Sequence, residues 1–128
     1  MSDPIGEMIT QIRNGYLAGR KKVKVDYSGL KKRLAEILRH HGYLKKISIL
    51  EEMPKKLVLT LVYKDKEPIM TQIKRISKPG RRLYANAKKI RSSVRSLGIE
   101  IISTSQGLMT NRKAAKKNLG GEIVCRIF

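Results

Sequence analysis

Twenty-nine lysines and arginines stand against 10 acidic residues in this chain of 128, so any fold it adopts must hold a net charge of +19 together. Self-repulsion on that scale works against a compact state, and a polyanionic partner is the economical explanation. A membrane surface would attract the same charge, but it normally calls for a basic amphipathic helix with bulky apolar anchors or a lipidation motif. Neither is evident, and there is no Trp. No apolar run approaches the roughly 18 residues of a membrane span. The charge is also uneven. Residues 1–64 carry 14 basic and 6 acidic side chains, residues 65–128 carry 15 and 4, and between Glu67 and Glu122 the only acid is Glu100. The second half is the expected nucleic-acid face.

An apolar share of 41% is enough for a packed core. The length suits one domain or two tightly packed small ones. The opening Ser2-Asp3-Pro4 lacks the basic-then-apolar layout of a secretory signal. Cys125 is the only cysteine, so no internal disulfide can form, which suits a reducing compartment. The cytosol is the expected location.

Asp3-Pro4 reads as an N-cap followed by proline at the first helical position. Ile5, Met8, Ile9, Ile12 and Tyr16 recur at helical spacing, with Asn14-Gly15 an early stop signal and Gly19 a later one. Val23, Val25 and Tyr27 alternate with polar residues as in a half-buried strand. Ser28 can cap a second helix whose face is Leu30, Leu34, Ile37, Leu38 and His41, with Gly42 as its stop. Strands are expected over 43–50 and 57–63, joined by a turn at Met53-Pro54. The polar, proline-containing stretch Lys64 to Pro68 marks the boundary, giving an N-terminal α+β domain over 1–64 and a mainly β domain over 65–128.

In the second half the pattern predicts a strand over 69–77, ended by Lys78-Pro79-Gly80 as a type II turn. A short helix over 88–94, a strand over 99–104 and a turn at Ser105-Gln106-Gly107 follow. Thr110 or Asn111 can cap another short helix through Lys117. Gly120-Gly121 breaks it before a last strand over 122–128, with Ile123, Cys125 and Ile127 on its buried face. The whole is an α+β fold: a helix-strand-helix-strand-strand domain packed on a mainly β domain with short helices.

Several clusters suit RNA. Lys31, Lys32 and Arg33 occupy the first turn of the second helix, where cations oppose the helix dipole by about 0.3–1 kcal/mol each. Phosphate contact and a merely solvated face fit them equally. Arg81-Arg82 precedes Leu83-Tyr84, and a ring beside positive charge can stack on an unpaired base while arginine engages phosphate. Tyr84 alone also fits an ordinary half-buried strand residue. Ser103-Thr104-Ser105-Gln106-Gly107 offers three hydroxyls that donate and accept, and a glycine that lets backbone approach a ligand. It also fits a plain turn with local side-chain-to-backbone bonds. Glu122, after Gly120-Gly121, either accepts from a base amino group, holds a neighbouring arginine or tyrosine, or softens local repulsion.

Catalysis finds little support. His40 and His41 are adjacent and would point about 100° apart on a helix. Cys125 falls on the apolar side of a strand. There is no phosphate-loop signature, no Gly-x-Ser-x-Gly elbow and no zinc-spaced ligand pair. The scattered acids argue against a metal nuclease. No enzyme, cofactor or metal is expected. The alternatives to a site-specific RNA binder are a nucleic-acid chaperone without a fixed site and a nuclease.

Taken together, Asp3-Pro4-Ile5, Ile12-Arg13-Asn14-Gly15 and the run from Arg75 to Tyr84 resemble the family of small-subunit ribosomal protein eight. The segment Leu97-Gly98-Ile99, then Ser103 to Thr110, then Leu119 to Cys125 is its most specific part. The spacing covers essentially the whole chain, apart from about 50–66, which carries no matching motif. The length is similar to that of the bacterial or organellar form. The resemblance implies a two-domain α+β protein whose C-terminal domain binds the central domain of small-subunit ribosomal RNA, in the minor groove of a helix with an irregular internal loop. It implies RNA contact by Ser103, Thr104, Ser105 and Gly107, completed by Tyr84 and the Gly120-Gly121-Glu122 segment. A second stretch of the same RNA would meet Arg13, Asn14 and the Lys31-Lys32 region. Neighbouring small-subunit proteins are implied as partners. In many bacterial members the messenger RNA of the protein itself is also bound.

Overall fold

A computed structural model describes residues 3–128, so Ser2 lies outside the described residues. They form an α+β structure of two compact units, Pro4–Thr71 and Gln72–Phe128, with Asp3 belonging to the latter.

In the first unit the order is α1 (Pro4–Leu17), β1 (Lys22–Asp26), α2 (Gly29–His40), β2 (Leu44–Leu50), β3 (Lys56–Leu61), then a small hairpin of β4 (Tyr63–Lys64) and β5 (Glu67–Pro68). The sheet is antiparallel in the order β1-β3-β2. The stripe Ile5, Met8, Ile9, Ile12 and Tyr16 is buried, each large side chain worth about 1.5–3 kcal/mol of transfer free energy. The helix runs through Asn14-Gly15 and stops near Gly19, whose φ of +68° is left-handed. Gly15 is required for another reason: a Cβ there would collide with the Val23 side chain. The Tyr16 hydroxyl donates to the Tyr43 carbonyl at 2.7 Å and accepts from the Val62 N–H at 3.1 Å. Burial pushes this phenol above its usual pKa, opposed by the Val62 hydrogen bond.

Ser28 caps α2, its side chain accepting from the Lys31 N–H at 3.1 Å. The buried face of α2 differs from the one expected. It is Lys31, Leu34, Ala35, Ile37 and Leu38, while Leu30 is 51% exposed and His41 lies at the exposed C-cap. Positions 31, 34, 35 and 38 keep the i, i+3, i+4, i+7 rhythm, which rotates the stripe one residue past Leu30.

The second unit runs β6 (Ile73–Arg75), β7 (Tyr84–Ala85), α3 (Ala87–Ser93), β8 (Ile99–Thr104), β9 (Gly107–Thr110), α4 (Asn111–Lys116) and β10 (Gly121–Ile127). The sheet order is β6-β10-β8-β9, with β7 also pairing β10. Ala85, Ile90, Ile102, Met109 and Ala114 form one core cluster, joining α3 and α4 to the sheet. The strand expected over 69–77 shrinks to Ile73–Arg75, and the Ile69 N–H instead donates back to the Val62 carbonyl at 3.1 Å. The turn at Pro79-Gly80 is not type II, since Gly80 is not left-handed. Instead Lys78 and Arg81 bridge reciprocally through their backbones, at 3.0 and 2.9 Å. Strand β10 departs from strict alternation too. Its register shifts between Ile123 and Cys125, and this bulge buries Val124 beside Cys125. The Val124 carbonyl accepts from Arg75 Nη1 at 2.6 Å and from the Ile76 N–H at 3.1 Å.

Candidate nucleic-acid interface

In the second unit's sheet, Tyr84 pairs with Glu122, Glu122 with Ser103, and Ser103 with Leu108. Directly opposed residues of antiparallel strands project to the same face, so Tyr84, Glu122 and Ser103 stand side by side at about 5 Å intervals. Tyr84 is 67% exposed, far more than a side chain kept for packing needs. One row therefore gathers an aromatic face, a carboxylate and a hydroxyl from three separate segments of the chain.

The row ends at the β8–β9 hairpin, whose tip is Ser105-Gln106. Thr104 Oγ1 donates to the Gly107 carbonyl at 2.9 Å and accepts from the Gln106 N–H at 3.1 Å. Its hydroxyl holds the turn. Ser105 lies exposed at the tip, with its side chain outside these bonds. Gly107 has φ +101° with open space around it, so glycine serves backbone shape there. Gly120 and Gly121 have a packing reason instead. A Cβ on Gly120 would come within 2.7 Å of the Ala85 carbonyl, and one on Gly121 would collide with that of Ser103. They let β10 sit tightly between β7 and β8, which brings Glu122 beside Tyr84 and Ser103.

Glu122 is held firmly. Its Oε2 accepts from Ser77 Oγ and from Arg82 Nη1, the latter at 3.0 Å. Arg82 and Arg81 are both exposed, and Arg82 is the one tied to this carboxylate. The same arrangement recurs in this unit. Asp3 accepts from Arg75 Nη2 at 3.2 Å and Nε at 3.3 Å, and Glu100 accepts from Arg126 Nη2 at 2.9 Å. All three acids of the unit thus face an arginine, and their side chains are only 26%, 8% and 19% exposed for Asp3, Glu100 and Glu122. Around them Lys88, Lys89, Arg91 and Arg95, then Arg112, Lys113, Lys116 and Lys117, are exposed. Lys117 Nζ donates to Gln106 at 3.2 Å, which places a cation next to the hairpin tip, and Arg91 donates to Asn118.

The expected site residues of the first unit form no part of this row. Arg13 and Asn14 are exposed on α1. Asn14 lines an open groove with Gln11, Arg20, Lys22 and Lys24, of about 540 Å³. Lys32 is half-buried and Lys31 only 5% exposed, so Lys31 presents little surface to a phosphate. Its charge adds to that of Lys56, whose hydrogen bond is the main reason Asp26 sits below the usual carboxylate range.

Two residues organise the site through partners that their places in the sequence, Ser77 within the run from Arg75 to Tyr84 and Asn111 as a candidate cap, do not reveal. Ser77 is fully buried and bonds across 45 positions. Asn111, 2% exposed, accepts from the Glu100 N–H at 3.3 Å and donates to Ser93 Oγ at 3.2 Å, joining α4 to β8 and α3. No group of three or more His, Cys, Asp or Glu positioned for a metal occurs among the described residues.

The family model for "Ribosomal protein S8" matches residues 3–128. The chain belongs to that family. Its relatives span the same length. A protein of Dictyoglomus turgidum named small ribosomal subunit protein uS8 is 40% identical over all of this chain and 98% of its own length. One of Staphylococcus carnosus with the same name is 40% identical over the same shares. One of Vibrio cholerae, also so named, is 42% identical over 99% of this chain and 98% of its own. Family membership covers both units, the motif-poor stretch at 50–66 included. Among the described residues, no helix is long and apolar enough to cross a membrane.

Proposed function

We propose that the protein is a structural, non-catalytic component of the small ribosomal subunit that binds the central domain of small-subunit ribosomal RNA and supports subunit assembly. The observation that carries this reading is the row Tyr84–Glu122–Ser103, set in a unit whose acids are all turned onto arginines. Tyr84 stacks on an unpaired base, Ser103 and Ser105 read sugar or base edges, and the surrounding lysines and arginines neutralise phosphate. Thr104, Gly107, Gly120 and Gly121 shape this surface, and Arg81 and Arg82 flank it. Arg13, Asn14 and Lys32 meet a second stretch of the RNA, Lys31 contributing charge from beneath. The ribosome in the cytoplasm is its location, with neighbouring small-subunit proteins around it. A mimic of the site in the protein's own messenger RNA would occupy the same surface.

Salt dependence and substitution test the division between reading and anchoring. With about six phosphates engaged, the log–log salt slope is expected near −4 to −5. Ser105→Ala is expected to cost about 1–3 kcal/mol of affinity with that slope unchanged. Lys113→Ala should lower the slope by about one unit and weaken all RNAs alike. A near-zero slope, or two variants behaving alike, would contradict the reading.

A further inference from the structure

We infer that Ser77 is a positioning residue of the RNA-reading surface, acting through both the Leu83–Tyr84 backbone and the Glu122–Arg82 pair. The inference rests on the function proposed above. Ser77 is 0% exposed and touches no solvent, so it reaches RNA only through its partners. Its hydroxyl is used twice: it accepts from the Leu83 N–H at 3.1 Å and donates to Glu122 Oε2. Its own N–H donates to the Ile123 carbonyl at 3.1 Å, anchoring it to β10.

Leu83 is pinned from both sides, because its carbonyl accepts from the Ile123 N–H at 2.9 Å. Tyr84 follows directly, its ring largely in solvent. The carboxylate that Ser77 orients is the one holding Arg82. One buried hydroxyl therefore fixes the backbone from which the stacking ring projects and the group that aims the adjacent guanidinium. Side chains held in place before binding lose less freedom on binding, and only a partner matching their geometry benefits. Ser77 thus sets discrimination between RNAs, while bulk charge sets affinity for any of them. A serine kept only to satisfy buried polar groups would affect stability and leave discrimination alone.

The full chain carrying Ser77→Ala, checked for folding by circular dichroism, is titrated with the central-domain ribosomal RNA fragment and with an unrelated hairpin of equal length. The expected result is about a tenfold loss for the fragment, less than twofold for the hairpin, and an unchanged salt slope. In a Tyr84→Ala/Arg82→Ala background, adding Ser77→Ala is expected to change fragment affinity less than twofold, because nothing is left to position. A folded Ser77→Ala that still discriminates like the unaltered chain overturns the inference, as does an equal loss for both RNAs or an undiminished loss in the double background. Should Ser77→Ala not fold, Ser77→Cys nearly keeps the volume while weakening both hydrogen bonds of the hydroxyl. It is expected to lose fragment affinity with no loss for the hairpin, and unchanged discrimination overturns the inference. If the unaltered chain binds both RNAs alike, the proposed function itself falls and this inference with it.

Discussion

The two units carry similar numbers of basic side chains, 15 in Pro4–Thr71 and 14 in the other, but they handle acids differently. The first has seven, and those in described ion pairs lie well exposed: Asp26 at 69%, Glu51 at 74% and Glu36 at 43%. Such acids dilute the surface charge and contribute little to stability. The second has three, each drawn inward onto an arginine. Its surface is left to cations, while its acids orient side chains. A basic protein can thus leave acids solvated at the surface in one region and turn them onto arginines in another. Burial, rather than count, separates the two uses.

Core substitutions give the largest expected effect and should show no difference between units. Leu59→Ala and Ile101→Ala, both at 0% exposure, are each expected to cost about 2–5 kcal/mol in denaturant unfolding. A much smaller cost at either would mean the units also differ in packing. The acids should differ sharply. Glu100→Ala leaves Arg126 without its carboxylate and is expected to cost about 1–3 kcal/mol, discounted because Arg126 is 38% exposed. Glu51→Ala is expected to stay within about 0.5 kcal/mol. Equal costs would mean that burial gives the Glu100 carboxylate no greater role than an exposed one.

Alkaline titration sharpens the contrast between the units. Burial pushes the Cys125 thiol from its ordinary 9.0 up to about 12. The unfolded thiol ionises from about pH 9 and the folded one only near 12, so its contribution is complete below pH 9 and is lost as pH rises toward 12. Unfolding followed at pH 8 and pH 10.5 should show lower stability at the higher pH, and a thiol reagent at pH 8 should react with the native chain far more slowly than with the unfolded one. Rapid native labelling would contradict the burial of β10. In the first unit the raised Tyr16 phenol acts in the same direction, but only above about pH 10.

The periodic parts of the fold were legible. The α1 stripe, the Ser28 cap and the α+β order follow from local spacing and cap chemistry, which need no knowledge of distant residues. The sequence was misleading where tertiary pairing overrides local pattern. The stretch from Ile69 reads as a strand, yet the Ile69 N–H bonds back to Val62 and only Ile73–Arg75 pairs in the sheet. Leu30 looks like core until Lys31 and Ala35 fix the rotation of α2. The Val124 bulge depends on β8 and on Arg75, so alternation within β10 could not reveal it. Among site residues, the segments around Tyr84, Ser103 and Glu122 stood out by composition and family resemblance, and the sheet brings them into one row. Ser77 did not stand out, because a serine before a turn is ordinary until its partner 45 residues away is known.

On the proposed function, the second unit reads a particular RNA rather than merely attracting polyanions. A binding competition at fixed salt between the central-domain ribosomal RNA fragment and an unrelated hairpin of equal length tests it directly. The fragment is expected to win by at least about a thousandfold in affinity, with Tyr84→Ala removing about 1–3 kcal/mol of that preference. Equal competition by the two RNAs would contradict it and leave only a basic protein that binds any polyanion.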